Sequence, residues 1–171
     1  KMANIAQVVN VLQSMILTDQ EGTGHMVLTP TYHVFEMYTP FQDATYLPLD
    51  LESEVMAVSK GYFKEKKEAK DQGYRPCPML SASAAKTQDG SIVLAVTNVS
   101  LDKEQTIDFN FAGYYAKQVS GRILTSKNVA DYNDFNHPNV IAPKAFNDAK
   151  LNKGVLTVKV PAKSIVVLDI K

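Results

Sequence analysis

Thr106-Ile107-Asp108-Phe109-Asn110-Phe111 alternates polar and apolar residues without a break. Alternation of this kind marks a half-buried β-strand, with one face inward and the other in water. The pattern recurs on both sides. Upstream, Ser91–Asn98 places Ile92, Leu94 and Val96 on one face, and Met79–Lys86 precedes it across Asp89-Gly90, a hairpin signal. Thr45–Leu51 and Val55–Ser59 come earlier; Gln118–Thr125, Leu156–Val160 and Ser164–Ile170 follow. About eight strands with short turns and no helical crossovers predict an antiparallel β-sandwich.

The first 40 residues read differently. Ile5, Val8, Val9, Leu12, Met15 and Ile16 recur at helical spacing, and Gln7, Asn10 and Ser14 share a polar stripe. Thr18–Gly24 is a polar loop. Thr29-Pro30 then announces a second helix, with Thr as N-cap and Pro at the first helical position. That helix carries Tyr32, Val34, Phe35, Met37 and Tyr38 and ends at Thr39-Pro40. The change of pattern predicts two units, residues 1–40 and residues 41–171. Two segments interrupt the strands. Lys60–Gly73 is a mixed-charge stretch suited to a solvated loop or short surface helix. Asn128–Asn147 is too long for a turn and is expected to pack around Tyr132, Phe135 and Phe146.

The 171 residues are 45% hydrophobic and 21% charged, which excludes wholesale disorder. No uncharged apolar run approaches the length of a membrane-spanning helix. A net charge of zero supplies no positive field for nucleic acid, so neither a membrane nor a nucleic acid is an expected partner. The single cysteine, Cys77, excludes an internal disulfide and reads as a structural residue at the start of a strand. Because the chain begins at Lys1, it is expected to be cut from something longer, with its compartment open between the cytoplasm and the periplasm or exterior of a bacterium.

Candidate chemistry is sparse. His25, His33 and His137 lack ligand spacing, and no nucleophile elbow, glycine-rich phosphate loop or His-Glu-x-x-His string occurs. No cofactor or metal is expected. Asn98-Val99-Ser100 matches a glycosylation sequon, a common triplet by chance. Among the seven glutamates no pair stands out for acid/base work, and Glu36 reads as a surface residue of the second helix. With no Trp and eight Tyr in no evident stripe, an aromatic sugar platform is not apparent.

Longer strings are more informative. Ala3–Gln13, Leu28–Tyr38, Gln42–Thr45, Leu80–Ala84, Val119–Thr125 and Val160–Leu168 together resemble glycoside hydrolase family 51, the α-L-arabinofuranosidases. The resemblance spans nearly the whole chain apart from Lys60–Gly73. It implies a mainly β fold: an antiparallel jelly-roll sandwich preceded by an α-helical remnant of the end of a (β/α)8 barrel. It also makes Asn4–Gln7 the end of the last barrel strand, so that the first helix begins near Val8.

The family's two catalytic glutamates sit on earlier barrel strands, and neither motif is present. The resemblance therefore implies the C-terminal portion of a retaining, exo-acting α-L-arabinofuranosidase acting on arabinan- or arabinoxylan-type glycans, with this portion inactive alone. An independent carbohydrate-binding module is the competing reading. Gln7 is carried over as a substrate contact to the arabinose ring, and Asn10 as a weaker neighbour. Val8, Val9, Leu12, Met15, Phe35 and Met37 would cover a barrel; without one they are expected to fold onto the sandwich or pair with a second copy in a homo-oligomer.

Overall fold

The computed structural model describes residues 5, 8–11, 14–59 and 74–171. The predicted mainly β, antiparallel sandwich is what it contains. Strands β1 (Ile16–Thr18) and β2 (Met26–Leu28) form a hairpin, followed by helix α1 (Pro30–Met37) and a 3₁₀ turn (Thr39–Phe41). Next come β3 (Thr45–Leu47), β4 (Val55–Ser59), β5 (Tyr74–Pro78), β6 (Leu80–Lys86), β7 (Ile92–Asn98) and β8 (Gln105–Asn110). The chain closes with β9 (Val119–Thr125), β10 (Lys144–Ala145), β11 (Ala149–Asn152), β12 (Val155–Val160) and β13 (Ser164–Ile170).

A six-stranded sheet in the order β10-β9-β13-β7-β6-β3 faces a three-stranded sheet, β11-β12-β8; β4 and β5 pair separately. Leu94, Val96, Val166, Leu168 and Ile170 of the large sheet meet Phe109, Leu156, Val158 and Val160 of the small one in the main core. The expected faces of β7 and β8 are borne out. The large sheet is covered on its other face too. There Val93, Ala95, Leu124 and Val167 pack with Met37, while Val34, Tyr38 and Phe41 close around them. Strands with apolar residues on both faces need such a cover on each side, and α1 is the second one.

Helix α1 starts as its sequence dictates, with the Thr29 hydroxyl accepting from the Tyr32 N–H and Pro30 in the first turn. The helix expected from near Val8 to Thr18 is not there in the described residues. Asn10 takes φ 56°, Val9 bridges Ile16, and residues 16–18 are strand. The Val8 carbonyl accepts from both the Met15 and Ile16 N–H groups, so the chain loops back instead of winding. The spacing resembled a helix, but Val8, Val9, Val11 and Ile16 are β-branched, and the Asn10 side chain competes for backbone groups.

Four other expectations are revised. Strand β3 stops at Leu47, although Leu49 and Leu51 still pack against the main core. The short β11 and β10 were not foreseen; β11 turns into β12 through Lys153 (φ 48°) and Gly154 (φ 83°), a two-residue turn of the kind suited to hairpins. Cys77 lies one residue before the end of β5, not at a strand start. In the segment 128–147, Phe146 is buried, but Tyr132 and Phe135 are 66% and 45% exposed. Asn133 organises that segment instead. Its side chain donates to the carbonyls of Leu28 and Ile141 and accepts from the Ile141 N–H, because irregular buried backbone needs polar partners. Lys60–Gly73, Leu12 and Gln7 lie outside the described residues.

Two outcomes follow from this packing. Gly121 lies against β13, where an added Cβ would stand 2.4 Å from the Leu168 Cδ2 and 3.1 Å from the Val167 carbonyl oxygen. Gly121→Ala should therefore cost about 1–3 kcal/mol in urea unfolding; unchanged stability would show that the sheet yields at no cost. At the β6–β7 turn, hydrogen bonds from the Thr87 hydroxyl and then from Ser91 hold the Asp89 carboxyl at about 2, below its ordinary 3.8. A lowered carboxylate pKa stabilises above the unfolded value, and that contribution fades as pH falls from 3.8 towards 2. In melts across this interval the stability gap between wild type and Asp89→Asn should shrink; a constant gap would refute the assignment.

Candidate functional site

Of the two residues singled out as substrate contacts, Asn10 is among those described. Its left-handed backbone aims the carboxamide at β1: Oδ1 accepts from the Thr18 N–H and Nδ2 donates to Thr18 Oγ1, both at 2.7 Å. A carboxamide offers two N–H groups and two lone pairs, and among the described residues Thr18 engages one of each. The β1–β2 loop beside it is tied by Asp19, whose carboxylate accepts from the Thr23 hydroxyl and N–H and from the His25 N–H. The Thr23 hydroxyl contributes most to holding the Asp19 pKa below the ordinary value.

Between this loop and the 128–147 segment lies a pocket of about 470 Å³ bounded by Asn10, Leu17, Thr18, Asp19, Gln20, Glu21 and Phe135. Of these residues only Asn10 is singled out by the sequence as a substrate contact. The one local signal for the others is an aromatic residue in a polar segment, a pattern that equally suits a core anchor.

A larger cleft of about 860 Å³ runs between the end of α1 and the large sheet. Glu36 and Arg122 meet across it in a two-pronged ion pair, with Nη1–Oε1 at 2.6 Å and Nη2–Oε2 at 2.9 Å. Glu36 is thus a tether between helix and sheet, not a free surface charge. Asp89 and Asp169 also line the cleft, the first held by Thr87 and Ser91 and the second paired with Lys171 at 3.0 Å. His33, one turn before Glu36, is buried, and loss of hydration pushes its pKa down. The described carboxylates with resolved partners thus serve turns and tethers.

No cluster of three potential metal ligands occurs among the described residues. The sequon asparagine, Asn98, is 1% exposed, and its amide donates to the Lys103 and Val160 carbonyls at 2.9 Å. It is a core fastener. Exposed Tyr46, Tyr115 and Tyr132 sit on β3, in the segment after β8 and in the segment after β9.

Comparison with known proteins agrees with this architecture. Residues 1–164 match the α-L-arabinofuranosidase C-terminal domain family. An intracellular exo-α-L-arabinofuranosidase of Bacteroides ovatus is 48% identical over all 171 residues, which make up 30% of that protein. The crystal structure of a family 51 arabinofuranosidase from Xanthomonas axonopodis pv. citri is 40% identical, covering 99% of this chain and 31% of that one, with a TM-score of 0.83. A thermostable family 51 enzyme from Thermotoga petrophila shares the fold at 22% identity and a TM-score of 0.74, covering 97% of this chain and 33% of its own. The chain therefore spans about a third of the length of these relatives, and it belongs to the α-L-arabinofuranosidase C-terminal domain family.

Proposed function

We propose that this chain is the C-terminal, non-catalytic portion of a retaining, exo-acting α-L-arabinofuranosidase that releases terminal arabinofuranosyl units from arabinan- or arabinoxylan-type glycans. The observation that carries the reading is the 48% identity extending along the whole chain while filling only 30% of the relative. Retaining hydrolysis needs two carboxylates about 5–5.5 Å apart. In this reading both come from the part of the polypeptide that precedes residue 1.

Residues 1–40 are then the end of the catalytic barrel and residues 41–171 the sandwich. The β1–β2 hairpin becomes the connection from the last barrel strand to α1, on the face where such barrels assemble their active sites. Gln7, at the end of that strand, contacts the arabinose ring, and Asn10 holds the following backbone to Thr18 beside it. The sandwich supports and covers. Val8, Val9 and Phe35, all 39–48% exposed, supply apolar surface for the barrel or for a second copy in a homo-oligomer.

The test compares the 171-residue chain with the full-length polypeptide on 4-nitrophenyl α-L-arabinofuranoside. The full-length protein should turn over and the chain alone should not; turnover by the chain would overturn the assignment of catalysis to the preceding part. In the full-length protein, Gln7→Ala should lower kcat/KM by about 10- to 100-fold, the scale of a lost substrate hydrogen bond. A variant as active as wild type would remove Gln7 from the site.

A further inference from the structure

We propose that the pocket between the β1–β2 loop and Phe135 is a subsite for the second or third sugar unit of an arabino-oligosaccharide, an inference that rests on the arabinofuranosidase reading above.

Its two walls come from segments more than one hundred residues apart, each stiffened independently. Asp19 ties the loop to Thr23 and His25. On the other side, Asn133 anchors the backbone two residues before Phe135, and Asp134 accepts from the Asn136 and His137 N–H groups just beyond it. Phe135 is thus 45% exposed on a backbone held on both sides of it. An exposed apolar ring opposite hydrogen-bonding side chains suits a ligand with an apolar face and a polar edge.

A furanose ring has that character: its C–H face lies on Phe135, and its hydroxyls meet Asn10, Gln20 and Glu21. Among the described residues Asn10 bonds only Thr18, through one N–H and one lone pair. Among the described residues the lining contains Asp19 and Glu21 and no Lys or Arg, which favours a neutral ligand over an anionic one. Three peptide units span at most about 10–11 Å. A glycan whose terminal unit is held at Gln7 therefore reaches the Asn10 side of the pocket within one or two further units.

The experiment measures, in the full-length polypeptide, kcat/KM on arabinotetraose relative to 4-nitrophenyl α-L-arabinofuranoside. Phe135→Ala should lower this ratio about fivefold, the effect of one lost ring contact, while Phe135→Tyr, which keeps the ring, should restore it. Thermal melts of both variants in the full-length polypeptide should match wild type; a ratio that falls only together with the melting temperature would overturn the subsite. A ratio within twofold of wild type for Phe135→Ala, whether both substrates fall together or neither does, would overturn the subsite. Wild-type protein inert on both substrates would instead sink the arabinofuranosidase reading beneath it.

Discussion

Strand β13 is hydrogen-bonded along its full seven residues to β7 on one side and to β9 on the other. Both its faces, like those of β7, carry buried apolar residues. Leu94, Val96, Val166, Leu168 and Ile170 turn inward with at most 1% exposure, while Val93, Ala95 and Val167 turn to the opposite side and are also buried. A large aliphatic side chain gains about 1.5–3 kcal/mol on full burial. A sheet with such residues on both faces therefore imposes two covers. The β11-β12-β8 sheet supplies one, and α1 with its 3₁₀ turn supplies the other. Gly121 allows β9 to lie close enough to β13 for this arrangement to close.

Polar residues do a different job. Asn98, Asn133, Asn10, Asp19 and Asp89 each satisfy backbone or hydroxyl groups where the chain leaves regular structure, and so fix loops that hydrophobic burial would leave undetermined. The Glu36–Arg122 pair orients α1 on the sheet. With both side chains part-exposed, its contribution to stability is about 0–1 kcal/mol, so the apolar contacts of Met37 dominate. This division of labour explains why so many carboxylates and amides belong to the frame.

The strands and the Thr29-Pro30 helix start were legible because alternation and capping are local properties. The N-terminal segment misled because β-branched residues at helical spacing carry two readings, and Asn10 decides between them through Thr18, eight residues away. Tyr132 and Phe135 misled for a related reason. An aromatic residue in a polar segment looks like a core anchor, yet Asn133 and Ile141 had already filled that role. The pocket beside Asn10 joins residues 10–21 to residue 135, and no spacing rule connects them.

The sequence by itself determined the mainly β class, most strand positions, the face of β7 that enters the main core, and the family resemblance. Each of these is written in patterns a few residues long or in strings that keep their order. Tertiary structure alone decided that the large sheet is covered on both faces, that Glu36 pairs with Arg122, that Asn98 is sealed in the core, and that Phe135 stays half-exposed beside the β1–β2 loop. Those outcomes depend on which distant groups meet, because a side chain's fate follows from the partners packed around it.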